Sequence, residues 1–79
     1  ATGGSAIGNN NQAMAMYSTA IGNDNYAIGE NSSAIGLGNN ITANDATALG
    51  NKNTASGISA GAVGISNTAS GHNARLSVI

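Results

Sequence analysis

The chain repeats itself every seven residues and never loses phase. Ala-Ile-Gly stands at 6–8, 20–22, 27–29 and 34–36, Ala-Leu-Gly at 48–50, Ala-Val-Gly at 62–64, and Ala-Ser-Gly at 55–57 and 69–71. The alanines fall on one ruler: Ala6, Ala13, Ala20, Ala27, Ala34, Ala48, Ala55, Ala62 and Ala69, with Ile41 at the single missing step. Ten such half-repeats fill residues 6–75 without an insertion, so residues 1–79 read as one repeat array. A short fixed period means that one unit cannot bury itself and that burial comes from stacking its neighbours.

Seven is also the coiled-coil period, which needs two apolar positions per heptad on good helix formers. Here glycine falls in almost every heptad, at a cost of about 1 kcal/mol each inside a helix. A strand followed by a turn fits instead. Small or β-branched residues surround each ruler alanine, and the glycine two residues on can take positive φ. Turn formers follow, as in Gly8-Asn9-Asn10-Asn11, Gly22-Asn23-Asp24-Asn25 and Gly50-Asn51-Lys52-Asn53. Each seven residues then give a strand of three or four residues and a turn, with turn glycines Gly8, Gly22, Gly29, Gly36, Gly50, Gly57, Gly64 and Gly71. Two units close a coil of 14. Coils stacked in parallel at ~4.8 Å make five coils a rod of about 24 Å.

The 14-residue unit shows independently in the residue after each ruler position. On alternate steps it is Ile7, Ile21, Ile35, Leu49 and Val63; between them it is Met14, Ile28, Thr42, Ser56 and Ser70. The two strands of a coil therefore face different surroundings. Strand side chains alternate, so alanines that fill a thin interior put the aliphatic column outside, as an exposed stripe of the kind that marks an interface. The expectation is a homo-oligomer with Ile7, Ile21, Ile35, Leu49 and Val63 toward its symmetry axis. The inverse arrangement, aliphatics inside and alanines outside, stays open at this level, as does dimer against trimer.

Composition narrows the chemistry. Only Lys52 and Arg75 are basic, which does not suit nucleic acid. There is no cysteine for a disulfide framework or a thiolate metal site, and no run of the ~20 apolar residues that a membrane helix needs. His72, Asp24, Glu30 and Asp45 all fall in turn slots, where solvation is their ordinary role. No catalytic set, metal site or cofactor site is expected. Met16, Leu37, Ile58 and Ile65 occupy turn slots where polar residues are usual; contact with a neighbouring subunit is the favoured reading, and apolar spots for a ligand the alternative.

Ser18-Thr19-Ala20-Ile21-Gly22, Ser32-Ser33-Ala34-Ile35-Gly36 and Thr54-Ala55-Ser56-Gly57, recurring in phase across the chain, resemble the head-domain repeats of trimeric autotransporter adhesins, the YadA-like haemagglutinin family. The resemblance implies an all-β fold, a homotrimeric left-handed parallel β-roll. It implies an adhesin head on a bacterial cell surface, anchored in the outer membrane through parts outside this chain. Its partners would be its own copies and host extracellular-matrix proteins or cell-surface receptors, with possible roles in virulence and autoagglutination.

This chain departs from the family pattern in places. Ala15 and Ala43 stand where glycine is usual, which puts a positive-φ turn in doubt there. Ala1-Thr2-Gly3 reads as a half-unit two residues too close to Ala6, and Ser77-Val78-Ile79 as the start of a further strand, so the chain reads as an excerpt of a longer head. If one face meets a fibrous partner, it is the strand without a continuous aliphatic column, carrying Tyr26, Asn40, Thr54 and Thr68. Three other readings stay on the table: a structural segment of a phage tail fibre or spike, an ice-binding threonine array, and a disordered asparagine-rich chain.

Overall fold

A computed structural model describes residues 3–78. The long strands are β1 (Ser5–Asn9), β3 (Thr19–Asn23), β5 (Ser33–Leu37), β7 (Thr47–Asn51), β9 (Gly61–Ile65) and β11 (Arg75–Val78). Two-residue strands alternate with them: β2 (Gln12–Ala13), β4 (Tyr26–Ala27), β6 (Asn40–Ile41), β8 (Thr54–Ala55) and β10 (Thr68–Ala69). The long strands form one parallel sheet in the order β1-β3-β5-β7-β9-β11, and the short strands a second in the order β10-β8-β6-β4-β2. Paired strand residues lie 14 positions apart throughout, as in Ala20↔Ala34 and Ala13↔Ala27. The result is a parallel β-roll with 14-residue coils. The strands are unequal, five residues against two, where the repeat predicted equal strands of three or four.

The roll is a slab with Cα extents of 29 × 22 × 11 Å. Its thinness follows from what fills it. Ala20, Ala27, Ala34, Ala48, Ala55, Ala62 and Ala69 are buried between the sheets, and side chains this short let two backbones approach closely. Ile41 is the exception and is fully buried in the same column. Beside it in the core lies Ala46, which stands where earlier coils have Ser18 and Ser32. In β11, Leu76 takes the alanine position opposite Ala62. That strand begins at Arg75, two residues earlier than the sequence suggested. Ile79 lies outside the described residues, as do Ala1 and Thr2 of the proposed first half-unit; Gly3 is a turn residue with φ of 71°.

The glycines divide into two kinds, which corrects the reading that all of them supply positive φ. Gly8, Gly22, Gly36, Gly50 and Gly64, which follow the aliphatic column, have φ between 116° and 128°. A Cβ at Gly36 would also fall 2.0 Å from the carbonyl oxygen of Gly50 in the next coil. Gly29, Gly57 and Gly71, at the opposite corner, have no such φ. That corner asks for no positive φ, so Ala15 and Ala43 meet its backbone requirement; at Gly29 and Gly57 glycine serves close stacking instead, since a Cβ there would run into Ala43 O and Gly71 O of the next coil. The left-handed conformation instead recurs every seven residues at Asn10, Tyr17, Asp24, Asn31, Gly38, Asp45, Lys52, Ser59, Ser66 and Asn73, with φ of 56–68°. Asparagine and aspartate tolerate that region; tyrosine, lysine and serine occupy it at a cost of about 1 kcal/mol or more each.

Stacking compensates by hydrogen bonds that continue through the corners. Asp24 N donates to Asn9 O at 2.9 Å, Gly38 N to Asn23 O at 2.8 Å and Lys52 N to Leu37 O at 2.8 Å, so the ladder does not stop where the strands do. At the first corner the next residue is always asparagine: Asn11, Asn25, Asn39, Asn53 and Asn67. These are not solvated turn residues. Asn25, Asn39 and Asn53 are fully buried. Asn25 Nδ2 faces Ile21 O at 2.9 Å, Gly36 O at 2.8 Å and Asn11 Oδ1 at 3.0 Å. Its own Oδ1 accepts from the backbone N–H of Asn39 at 3.1 Å. The pattern repeats at Asn39 and Asn53, forming an amide ladder along the slab. An amide suits this place because it carries both donors and acceptors, and each corner has carbonyls to cap and an N–H to receive. At the second corner Ser18 does a smaller version of the same task, its Oγ donating to Ala15 O at 2.6 Å.

Candidate functional site

With alanine and asparagine inside, the functional surface consists of the outer sides of the two sheets and the corners. On the long-strand sheet, parallel register stacks Ile7, Ile21, Ile35, Leu49 and Val63 in one line. The line lies on the opposite side of these strands from the buried alanines. Ile7 is 58% exposed, Leu49 43% and Val63 39%, while Ile21 and Ile35 are half-buried by their neighbours. Five aliphatic side chains at strand spacing make an apolar strip about 19 Å long. Ser5, Thr19, Ser33 and Thr47 run beside it on the same face.

The short-strand sheet presents Tyr26, Asn40, Thr54 and Thr68 in register on its outer side. Tyr26, Asn40 and Thr68 are exposed and Thr54 is half-buried. The structure therefore brings these four together on one face. Met14, Met16, Tyr17 and Ile28 are also exposed, and make the first coils of this side more apolar than the last. Leu37, Ile58 and Ile65 project from the corners into solvent.

Charged groups lie scattered on the corners. Asp24, Glu30, Asp45 and His72 are all exposed, and among the described residues no three of His, Cys, Asp or Glu gather where an ion could be held. Arg75 Nη1 donates to Ser59 O at 2.6 Å, which ties it to the preceding coil. An open polar groove lies where the first corner meets the short-strand sheet, with Asn10, Gln12, Asp24, Tyr26, Gly38 and Asn40 in its lining. The sequence reading had Tyr26 and Asn40 as surface and Asp24 as a solvated turn residue. It did not unite them, because they come from three successive coils. A usable signal was Gly38, the one residue without a side chain in the column Asn10, Asp24, Gly38, Lys52, Ser66. The asparagine ladder was missed too, although an asparagine at every fourteenth position from 11 to 67 spells it out.

This is the architecture of a repetitive parallel β-solenoid: thin, with small residues inside and in-register columns of side chains outside. The family comparison makes it specific. The family described as the YadA head domain repeat, two copies to a match, covers residues 1–25, 15–39, 27–53 and 42–60, and the chain belongs to that family. YadA head domains are adhesin repeats, and this chain is one stretch of such a β-roll. Comparison with curated proteins and with solved structures gave no match.

Proposed function

We propose that this chain is part of the head of a trimeric autotransporter adhesin. Held out from a bacterial surface and anchored in the outer membrane by segments beyond this chain, it attaches the cell to host extracellular-matrix proteins or cell-surface receptors and promotes autoagglutination. Three rolls pack about a common axis through Ile7, Ile21, Ile35, Leu49 and Val63. The outer short-strand face, with Tyr26, Asn40, Thr54 and Thr68, meets the partner. The mechanism is display rather than catalysis. Each coil offers a weak contact, and three chains of several coils convert weak contacts into avidity.

The observation that supports this reading most is the aliphatic line outside the roll. Side chains left about half exposed forgo roughly 1 kcal/mol each of burial free energy, and five in one row favour association of copies over exposure. Light scattering of the purified chain, with circular dichroism on the same sample, tests it. The expected result is a strand-rich species of three chain masses that Ile35→Glu reduces to one. A folded, strand-rich species of one chain mass would refute the trimer. For the partner face, Tyr26→Asp and Thr54→Lys should lower adhesion to immobilised matrix protein. Unchanged adhesion by a folded trimer would remove that face from the reading. With so few charges, adhesion should also persist in moderate salt.

A further inference from the structure

The polar groove beside Tyr26 carries a more specific reading. In the left-handed corner column, Asn10, Asp24, Gly38, Lys52 and Ser66 follow one another coil by coil with closely similar φ. The backbone does not demand glycine at 38, since Asn10 holds the equivalent place with φ of 59° and Gly38 has 68°. What glycine adds is a missing side chain. It leaves open space at this step of the column: a Cβ at Gly38 would meet nothing within 4 Å but Lys52 Cγ, at 3.4 Å.

Tyr26 stands next to this recess. Register sets Gln12 one coil before it and Asn40 one coil after, and the ring is 41% exposed. The groove thus offers one aromatic ring, three side-chain amides from Asn10, Gln12 and Asn40, and one carboxylate from Asp24. A half-exposed tyrosine gives an apolar face with a polar tip. The amides donate and accept, and the carboxylate accepts through two oxygens. A pyranose has the matching chemistry: a C–H face that lies on an aromatic ring, and a rim of hydroxyls that each donate and accept. Asp24 is the one charged residue in this lining, and its carboxylate disfavours acidic sugars by like-charge repulsion.

We propose that this groove binds a neutral hexopyranose, with Tyr26 under the ring, Asp24 and the amides on its hydroxyls, and Gly38 making the room. The assignment rests on the adhesin-head reading for its setting: it names a glycan as what this part of the partner face takes hold of.

The test is titration of the chain with a panel of neutral methyl hexopyranosides, followed by amide chemical shifts. The expected result is one sugar with a dissociation constant of about 1 mM, ordinary for a small ligand on an open site. Shifts should gather at residues 10–12, 24–26 and 38–40. Gly38→Asn should abolish binding while leaving the circular dichroism spectrum unchanged, because Asn10 already occupies the same corner conformation. Tyr26→Ala should weaken binding about tenfold. If no sugar of the panel moves these amides, or if binding survives Gly38→Asn, the proposal falls. Adhesion to a matrix protein that persists in Gly38→Asn and after enzymatic removal of the matrix glycans would overturn the groove and leave the adhesin reading standing. Sugar binding by a chain that neither assembles nor adheres would do the reverse.

Discussion

Asn39 sits midway along the buried amide ladder, and replacing it by alanine removes five side-chain polar contacts at once, three of them shared by the two N–H groups of Nδ2. Nδ2 loses Ile35 O at 2.9 Å, Gly50 O at 3.0 Å and Asn25 Oδ1 at 2.9 Å, while Oδ1 loses the backbone N–H of Asn53 at 3.0 Å and its Nδ2 at 3.2 Å. These losses are unequal. Asn25 Oδ1 keeps the backbone N–H of Asn39, and Asn53 Nδ2 keeps Leu49 O and Gly64 O. The N–H of Asn53 loses the side-chain acceptor that served it, in a place that is fully buried. One buried orphan donor costs about 1–3 kcal/mol, and the weakened carbonyls add about 1 more. The expected destabilisation of Asn39→Ala is therefore ~3 kcal/mol, or roughly 15 °C in a domain of this size.

Asn39→Asp sharpens the argument. It keeps the shape but sets an oxygen against three acceptor oxygens. Burial among acceptors raises the folded-state pKa of the new carboxyl above its unfolded value of about 3.9. The native state then binds more protons than the unfolded chain. The stability of this variant should be greatest below about pH 4 and decline as pH rises toward the folded-state pKa. Thermal unfolding followed by circular dichroism, run at low and neutral pH, reads both effects. A loss under ~1 kcal/mol in Asn39→Ala, or an Asn39→Asp variant that gains stability with rising pH, would refute the ladder as a stabilising element.

Three further perturbations use the same unfolding assay. Gly36→Ala combines φ of 127° with a Cβ 2.0 Å from Gly50 O and should cost more than about 3 kcal/mol; Gly71→Ala, whose Cβ would meet nothing nearer than 3.9 Å, should stay within about 0.5 kcal/mol of the parent. Equal effects would mean that neither the left-handed φ nor the carbonyl of the next coil constrains Gly36. Ile41→Ala empties the fully buried exception in the alanine column and should cost about 2–5 kcal/mol, with a smaller loss expected only if the sheets close to the spacing of neighbouring coils. Ala48→Leu overfills a core that already holds Ile41 and should cost at least about 1–3 kcal/mol, so a neutral result would show the interior to be looser than the packing implies.

Much of the architecture was legible because a solenoid is nearly one-dimensional. Each coil contacts only the coils before and after it, so period and phase are written directly along the chain. The seven-residue ruler settled the parallel stacking, the 14-residue coil and the columns that share a face. Alternation along a strand then put the Ile7-to-Val63 line and the alanines on opposite sides. The columns of Tyr26, Asn40, Thr54 and Thr68 were likewise legible as neighbours, since like positions of successive coils must stack.

Tertiary structure decided what differs between positions that look alike in sequence. Gly8 and Gly29 occupy the same step of the ruler, yet only Gly8 turns the chain through positive φ: one corner leads from a five-residue strand to a two-residue strand and the other leads back. Asn10 and Asn11 are adjacent and chemically identical, yet one takes the left-handed corner conformation while the other starts the amide ladder. Residue type cannot separate them; the direction of each Cβ at the corner does. The groove around Tyr26 arises the same way, from three coils meeting where one side chain is missing. Period is a property of the chain, but inside and outside are properties of the closed coil.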